Sequence, residues 1–318
     1  MTSDPAPTRR RMMAATAAGL SLAGIPARAA PETGMEPATE PAVTLSRTAQ
    51  WDRLAGGDPA RPYRVFVAWP EVEAPPEGFP VLYLLDGNSV FGTAVEAMRV
   101  TGARGAAMAP TPAVVVAIGY PTDKPFDLAR RARDYTPPAA GAPEGTGGAD
   151  AFLAFIENEL KPEIERRFRI DRARQTLFGH SYGGLCVLHA LFTRSGGFQR
   201  YVAASPSIWW HGRAVLESER RFIAALPADA ATRSLLVTVG EQELVSPSGP
   251  AADPAADPAV EERRRAARMV ENARELAGRL AALAPRGPAV EFVSFAGETH
   301  GSVIPSAVGR AVGVAIRR

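Results

Sequence analysis

The chain has 318 residues, of which 46% are hydrophobic and 22% charged, and its formal net charge at pH 7 is +2. Such values are typical of a soluble globular protein, and the length suits one large α/β domain or two small ones. The charge balance excludes the strongly basic surface of a nucleic-acid-binding protein. The single cysteine, Cys186, excludes an intramolecular disulfide.

The first 29 residues have the three ordered parts of an export signal. A twin-arginine cluster, Thr8–Met13, leads into the apolar stretch Met12–Ile25, which is too short to cross a bilayer as a helix. The Ala-Arg-Ala sequence of Ala27–Ala29 predicts cleavage before Ala30. The alternatives are an amphipathic helix or a membrane anchor. We interpret residues 1–29 as a Tat signal peptide, with the Tat machinery as partner of the precursor and a periplasmic or secreted mature protein.

Removal of the signal changes the charge of the chain. These 29 residues contain four arginines and one aspartate, so cleavage changes the formal net charge from +2 to −1. Residues 30–45 then form a leader rich in proline, glutamate and threonine without an apolar period, which predicts disorder. One folded domain is expected over residues 46–318.

Short apolar runs alternate with helical patterns through this domain. Continuous apolarity is typical of strands covered on both faces, as in a mainly parallel sheet. The predicted strands are Tyr63–Trp69, Val81–Asp86, Ala113–Gly119, Gln175–Gly179, Tyr201–Ser205, Leu235–Gly240 and Val290–Phe295. Helical spacing predicts helices over Ala149–Phe168 and Val260–Leu283. The alternation predicts a doubly wound, mostly parallel α/β sheet with helices on both faces.

Two segments rich in glycine, proline and alanine match neither pattern. They are Thr136–Asp150 and Ser246–Pro258, and each precedes one of the two predicted helices. Both segments are predicted to form long loops. In a compact domain such loops often border a functional site or are mobile.

The segment Leu177–Leu185, LFGHSYGGL, contains the pattern G-x-S-x-G between an apolar strand and an apolar helix. In that context the pattern is typical of a nucleophile elbow, a sharp turn that holds Ser181 in a strained conformation above the sheet edge. Chain passing close to the turn is expected to leave no room for side chains at Gly179 and Gly183. The N-terminus of the following helix favours negative charge that develops at the serine.

A serine nucleophile needs a base, and the chain has four histidines. His180 adjoins the serine with a diverging side chain, and His189 falls inside the elbow helix, where core packing is expected. His211 follows a tryptophan pair and lies either in the pocket or on the surface. His300 comes directly after the last predicted strand, which is where this topology delivers its base. We therefore predict His300 as the base.

The orienting acid is expected between the serine and the histidine in the chain. The strand Leu235–Gly240 is followed by Glu241 and Glu243. Glu243, the third residue after the glycine, is the predicted acid because it can reach the far nitrogen of the histidine. Glu241 is the alternative, and either residue can instead be a solvated loop charge.

Two backbone N–H groups are the predicted donors to an oxyanion. One belongs to Tyr182, directly after the nucleophile, and the other to Asn88, in the loop after the strand Val81–Asp86.

The sequence contains no HExxH, paired-histidine or CxxC pattern and no phosphate loop, so neither a metal nor another cofactor is expected. Cys186 lies in an apolar run and is given no catalytic role.

Six motifs occur in an order that characterises one family. YLLDGNSVF, RRARDYTPP, GHSYGG, SPSIWW, VGEQE and HGS follow one another between about Tyr63 and Val308. The chain thus resembles the esterase D-like family of α/β-hydrolases, and within it the periplasmic siderophore esterases of the enterobactin and salmochelin type. The combination of DYTP after an arginine cluster with SPSIWW is more specific than the elbow alone.

The resemblance implies the α/β-hydrolase fold and hydrolysis of ester bonds, with tricatechol trilactone siderophores as substrate, either iron-loaded or iron-free. It implies Ser181 as nucleophile and His300 as base. The resemblance also implies that the acid partner can be weak or absent, as in some members of this group, so the role of Glu243 stays open.

The resemblance also implies a substrate-binding group. Arg130 and Arg133 would face the acyl pocket, where guanidinium groups suit anionic catecholate oxygens. The alternative for these arginines is a structural ion pair with Asp127 or Asp134. Two adjacent tryptophans could stack on aromatic rings of the substrate, with core packing as the alternative for at least one of them. These are Trp209 and Trp210.

Three functions are compatible with these patterns. The first is a cofactor-free serine esterase that acts on siderophore-type polyesters through an acyl-enzyme. The second is a general periplasmic carboxylesterase or feruloyl-type esterase, and the third is a non-catalytic periplasmic ligand-binding module. The expected partner in each case is a small molecule, a ferric siderophore included, with no nucleic acid and, in the mature form, no membrane.

Overall fold

The computed structural model describes residues 44–54, 61–102, 111–194, 196–243, 262 and 265–317. The compact unit that contains the described fold begins at Leu45. The predicted signal peptide, the leader up to residue 43 and the predicted loop Ser246–Pro258 lie outside the described residues.

One sheet of eight strands forms the centre of the described part of the chain, in the order β1-β2-β4-β3-β5-β6-β7-β8. The strands are β1 (Thr48–Leu54), β2 (Tyr63–Ala68), β3 (Phe79–Leu85), β4 (Val114–Gly119), β5 (Ile170–His180), β6 (Arg200–Ala204), β7 (Ser234–Gly240) and β8 (Ala289–Phe295). β2 runs antiparallel to both of its neighbours, β1 and β4. All other neighbouring strands are parallel.

The helices that the structure describes lie between these strands in the chain or, in the case of the last helix, follow β8. They are α1 (Gly87–Gly102), α2 (Leu128–Tyr135), α3 (Ala149–Phe155), α4 (Lys161–Arg167), α5 (Tyr182–Thr193), α6 (Trp210–Arg213), α7 (Val215–Ala224), α8 (Met269–Ala281) and α9 (Val303–Ile316). A π-helical turn, Ile156–Leu160, joins α3 to α4, and 3₁₀ turns cover Ala230–Thr232 and Glu241–Glu243.

Alternate residues of the central strands enter two cores, one on each face of the sheet. In β3, Tyr83 and Leu85 belong to the core that α3, α5 and α8 cover, and Leu82 and Leu84 belong to the core under α1 and α9. Every residue of β3 is buried, because both faces of a parallel sheet lie under helices. The predicted doubly wound sheet with helices on both faces is confirmed.

The seven predicted strands are all present, and their ends differ from the predicted ones by at most five residues. The largest difference is β5, which begins at Ile170 rather than Gln175. Its first five residues include three charged ones and none of the five is buried, so they form no apolar run. The predicted helix Ala149–Phe168 is interrupted by the π-helical turn and ends at Arg167. β1 was not predicted, since TAQWDRL has neither an apolar run nor a clear alternation.

Membrane spanning was tested on the helices of the described residues. None of these helices is both long enough and apolar enough to cross a bilayer.

Candidate active site

The carboxyl ends of the parallel strands bring the predicted site residues to one edge of the sheet. His180 at the end of β5 pairs with Ala204 at the end of β6. Gly240 at the end of β7 pairs with Phe295 at the end of β8. Because neighbouring parallel strands end at the same edge, the segments that follow them lie side by side there. These segments begin at residues 86, 181, 205, 241 and 296.

Ser181 joins β5 to α5 on a strained turn. Its φ of 60° and ψ of −116° fall outside the regions open to ordinary L-residues, at a cost of about 1–3 kcal/mol. The Ser181 N–H donates to the Ala204 carbonyl at 3.0 Å, which ties the turn to β6. Ser181 is also the N-cap of α5, so the N–H of Tyr182 lies in the first helical turn, where no intrahelical acceptor is available.

The glycines around the serine differ in how much room they have. A Cβ at Gly179 would lie 2.3 Å from the Gly183 carbonyl oxygen, so only glycine fits there. A Cβ at Gly183 would lie 3.5 Å from its nearest neighbour, in ordinary contact with Leu85. The expectation that Gly183 must lack a side chain is therefore wrong. The second tight position is Gly184, whose Cβ would lie 2.8 Å from the Ala204 carbonyl oxygen.

His300 and Glu243 are in direct contact at this edge. Nδ1 of His300 lies 2.7 Å from Oε2 of Glu243, which leaves Nε2 of the ring free to exchange a proton with a nucleophile. The His300 side chain is 47% exposed and the Glu243 side chain only 2%. Oε1 of Glu243 accepts hydrogen bonds from the Gly240 N–H and the Ser205 hydroxyl, each at 2.6 Å. The carboxylate is thus held through both of its oxygens.

Glu241, the alternative acid, contacts the backbone of the histidine loop rather than the His300 ring. Its Oε2 accepts a hydrogen bond from the Gly297 N–H at 3.0 Å, and its side chain is exposed. The Gln242 N–H donates to the Glu298 carbonyl at 2.9 Å and adds a second link. The pair of links fixes the loop that carries His300 against the end of β7.

The hydroxyl of Ser181 lies against a second serine. Its Oγ is 3.3 Å from the Oγ of Ser207, and the Ser207 N–H donates to the Ser181 carbonyl at 3.1 Å. Contacts between a nucleophile and its base are commonly long before substrate binds. The approach of His300 to Ser181 therefore stays a prediction from the shared sheet edge.

The buried ring of His180 packs against the ring of His300. Its ring centroid lies 4.5 Å from that of His300. Burial, and then the proximity of His300 and Arg131, lowers the pKa of His180 to about 3. His180 is consequently neutral near pH 7 and adds no positive charge beside the base.

The side chain of Asn88 ties the start of α1 to the segment that follows β4. Its Oδ1 accepts a hydrogen bond from the Tyr120 N–H at 2.9 Å, and its Nδ2 donates to the carbonyls of Tyr120 and Thr122 at 3.0 and 2.8 Å. Asn88 is the second residue of α1, so its N–H, like that of Tyr182, belongs to a first helical turn at the active edge. Donation by these two N–H groups to an oxyanion stays a prediction.

A buried ion pair, which the sequence analysis did not identify, links this loop to the elbow. Arg131 donates to Oδ1 of Asp86 at 3.0 Å and to Oδ2 at 2.9 Å, and a third bond reaches the His180 carbonyl at 3.3 Å. The Asp86 N–H donates to the Tyr135 hydroxyl at 3.0 Å. Burial raises the pKa of Asp86, while the contact with Arg131 acts in the opposite direction.

The predicted substrate-binding arginines lie on α2 beside this pair. Arg130 donates to the carbonyls of Pro62 and Arg61 at 2.8 and 3.0 Å, and its guanidinium lies 4.9 Å from the Tyr63 ring centroid. Arg133 is exposed. Of the α2 arginines it is Arg131 whose guanidinium reaches the elbow. A substrate contact of Arg130 or Arg133 stays a prediction.

The two predicted tryptophans have different surroundings. Trp209 is 38% exposed, and its ring centroid lies 6.2 Å from that of Tyr182. Trp210 is 4% exposed and belongs to the core. Of these two rings, that of Trp209 is the one open to solvent, and core packing is confirmed for Trp210. Stacking of a substrate ring on Trp209 stays a prediction.

Sequence reasoning missed Asp86, Arg131, Ser205 and Ser207. Asp86 and Ser205 directly follow the apolar strands β3 and β6, so the rule that located Glu243 and His300 after strand ends could have found them. No comparable signal exists for Arg131, because its partner lies 45 residues away along the chain.

The sheet order, with helices on both faces and a serine turn after β5, is that of the α/β-hydrolase fold. Within this class, the model of the family described as "Putative esterase" matches residues 57–276, and the chain belongs to that family. The protein is accordingly a carboxylic-ester hydrolase.

The chain is also similar to individual proteins with named substrates and to a solved structure. The chain is 43% identical to the ferri-bacillibactin esterase BesA of Bacillus subtilis over 80% of this chain and 85% of that protein. It is 40% identical to the siderophore triacetylfusarinine C esterase of Aspergillus fumigatus over 80% of this chain and 88% of that one. The crystal structure of the BES protein from Bacillus cereus superposes with a TM-score of 0.75 at 35% identity, covering 88% and 98% of the two chains.

Proposed function

We propose that this protein is a serine esterase that hydrolyses the ester bonds of siderophores through an acyl-enzyme. Support for the substrate class comes from the relatives, which are named as esterases of ferri-bacillibactin and triacetylfusarinine C and match four fifths of the chain. Support for the chemistry comes from the contact of His300 with Glu243 at the sheet edge where Ser181 stands on its strained turn. That contact is the observation that carries the proposal.

The proposed reaction begins when Oγ of Ser181 bonds to the acyl carbon and its proton passes to Nε2 of His300. Glu243 holds Nδ1 of the ring and stabilises the imidazolium that forms. The N–H groups of Tyr182 and Asn88 stabilise the oxyanion, and each such donor typically contributes about 100-fold or more in rate.

The first half ends when the ester C–O bond of the tetrahedral intermediate breaks. His300 gives its proton to the departing alkoxide, which leaves as the alcohol, and the acyl group stays on Oγ of Ser181. In the second half His300 takes a proton from water while the water oxygen bonds to the acyl carbon. The bond from that carbon to Oγ then breaks, the acid leaves, and His300 returns the proton to Ser181. The serine and the histidine end in their starting states, and no external oxidant or reductant is needed.

Labelling and product analysis test this function together. Mass spectrometry after treatment with a fluorophosphonate is expected to locate the adduct on Ser181. Incubation with ferric and iron-free bacillibactin, triacetylfusarinine C and enterobactin is expected to release linear ester fragments. Ser181→Ala should abolish both results, whereas Ser218→Ala, a change at a buried serine of α7, should abolish neither.

Different results of the labelling and product analysis would indicate one of the two alternative functions. Labelling of Ser181 without siderophore cleavage, but with turnover of small aromatic esters, would identify a general or feruloyl-type carboxylesterase. Absence of labelling and of turnover would identify a ligand-binding module. Fragment release by Ser181→Ala would refute the serine mechanism.

We also propose that the precursor is exported by the Tat pathway and acts in the periplasm or outside the cell. Support comes from the twin-arginine cluster, the apolar stretch and the cleavage pattern within residues 1–29. Lysine in place of Arg9, Arg10 and Arg11 is expected to retain the uncleaved precursor in the cytoplasm. Cleavage and export that persist in this variant would contradict the proposal.

A further inference from the structure

The tripeptide Ser205-Pro206-Ser207 follows β6 and contacts two members of the proposed triad. All three of its residues are buried. The Ser205 hydroxyl contacts Glu243, and the Ser207 hydroxyl contacts Ser181. One short turn thus touches both the acid, which follows β7, and the nucleophile, which follows β5.

The contact of Ser205 is short and directed at one oxygen. Its hydroxyl donates to Oε1 of Glu243 at 2.6 Å, a distance typical of a charge-assisted hydrogen bond. The Gly240 N–H donates to the same oxygen. Because Oε1 is held twice, Oε2 is the oxygen that remains for Nδ1 of His300. The carboxylate therefore cannot rotate without losing a hydrogen bond.

The backbone of Ser205 is strained at the position from which its hydroxyl reaches Glu243. Its φ is 41°, a conformation that L-residues rarely adopt, and its N–H donates to the Thr238 carbonyl at 2.7 Å. Positive φ at a residue with a Cβ persists only where surrounding contacts over-determine it. The strain is consistent with a turn that directs the hydroxyl toward Glu243.

The contact of Ser207 is longer but reaches the reacting atom. The two Oγ atoms are 3.3 Å apart, and the Ser207 N–H binds the Ser181 carbonyl. The proton of Ser181 has to leave toward His300, so Ser207 is the donor when the nucleophile is primed. A distance beyond the usual O–H···O range makes this the weaker of the two contacts.

We propose that Ser205 and Ser207 are positioning residues of the esterase, Ser205 for the acid Glu243 and Ser207 for the hydroxyl of Ser181. This inference rests on the proposed roles of Ser181, His300 and Glu243. The two serines act on different members of the triad, so their removal has different signatures.

For Ser205→Ala, which keeps the Cβ and its backbone strain, we expect kcat to fall about 10- to 100-fold with KM unchanged. The low-field proton resonance of the His300–Glu243 hydrogen bond should shift upfield or broaden. For Ser207→Ala we expect a fall of about 3- to 10-fold in kcat and in the rate of fluorophosphonate labelling, with that resonance unchanged. Ser207→Thr, which keeps the hydroxyl, should recover most of the labelling rate.

Ser218→Ala serves as the matched control, because it removes a buried hydroxyl that contacts Arg221 and not the triad. If Ser205→Ala does not fold, Ser205→Gly removes the same hydroxyl and relieves the positive φ. Behaviour of the Ser205 and Ser207 variants like that of Ser218→Ala would overturn the inference while labelling of Ser181 in the parent protein still supports the esterase. A parent protein that does not label would overturn both.

Discussion

Arg131 binds both carboxylate oxygens of Asp86, at 2.9 and 3.0 Å, in a pair that is almost completely buried. Asp86 follows β3 and has a φ of 56°, and Ser181 follows β5 and has a φ of 60°. Arg131 also reaches the carbonyl of His180, the residue before Ser181. One guanidinium therefore holds together two strained turns on adjacent strands, one before the proposed oxyanion donor Asn88 and one at the nucleophile.

Replacing Arg131 is expected to reduce both stability and turnover. Arg131→Met leaves Asp86 buried without its partner, which costs about 3–5 kcal/mol in the free energy of unfolding. In the fraction that stays folded, kcat should fall at least about 10-fold, because the turn at Asp86, which leads into Asn88, loses its link to the elbow. Urea unfolding and steady-state kinetics measure the two effects.

A surface arginine provides the control for this change. Arg99→Met removes an exposed pairing with Glu96 on α1 and should leave unfolding and turnover unchanged within error. The double change Arg131→Met with Asp86→Asn should recover part of the stability, because no unpaired charge stays buried. Wild-type stability and turnover of Arg131→Met would show that the pair has no positioning role.

The two glycines of the G-x-S-x-G pattern are expected to tolerate alanine very differently. Gly179→Ala places a Cβ 2.3 Å from a backbone oxygen, so the elbow has to move, with a loss of at least about 3 kcal/mol or no folded protein. Gly183→Ala meets only ordinary contacts on the first turn of α5 and should change stability by less than about 1 kcal/mol, in the stabilising direction. Thermal unfolding of both variants measures the difference in stability. An equal loss of stability in the two variants would contradict the close contact described at Gly179.

These glycines show where sequence reasoning reaches its limit. The motif predicts a tight turn around Ser181, but which glycine is tight depends on the phase of α5 against β5 and β6. Strand-end positions are more predictable: Glu243 and His300 follow apolar runs whose carboxyl ends must meet in a parallel sheet. The contact between Arg131 and Asp86 could not be predicted, because it depends on where α2 packs after a long connection.

The stability of the fold is expected to fall on mild acidification. The pKa of His180 is about 3 in the folded protein against 6.5 for the free side chain, so the unfolded state takes up a proton first as pH drops. The loss begins below pH 6.5 and amounts to at most about 1.4 kcal/mol per pH unit down to the folded pKa. Burial also lowers the pKa of His189, although its contact with Asp150 acts against this, and adds a loss of the same sign.

Urea unfolding at several pH values between 8 and 5 measures this effect. His180→Gln, which cannot take up a proton in this range, should lose less stability than the parent protein over the same interval. Equal pH slopes for the two proteins would mean that His180 is not held neutral. The comparison separates the histidine from carboxylates, which contribute equally to both slopes.

Substitution of the two adjacent tryptophans is expected to affect different quantities, substrate binding for Trp209 and the free energy of unfolding for Trp210. Trp209→Ala removes the exposed ring beside Tyr182, so KM for siderophores with aromatic rings should rise about 5- to 10-fold, with little change in unfolding. Trp210→Ala creates a core cavity and should cost about 3–5 kcal/mol in the free energy of unfolding. Kinetics on aromatic and non-aromatic siderophores, with urea unfolding alongside, tests both expectations. An equal rise in KM for both substrate types in Trp209→Ala would show that Trp209 shapes the pocket without stacking on a ring.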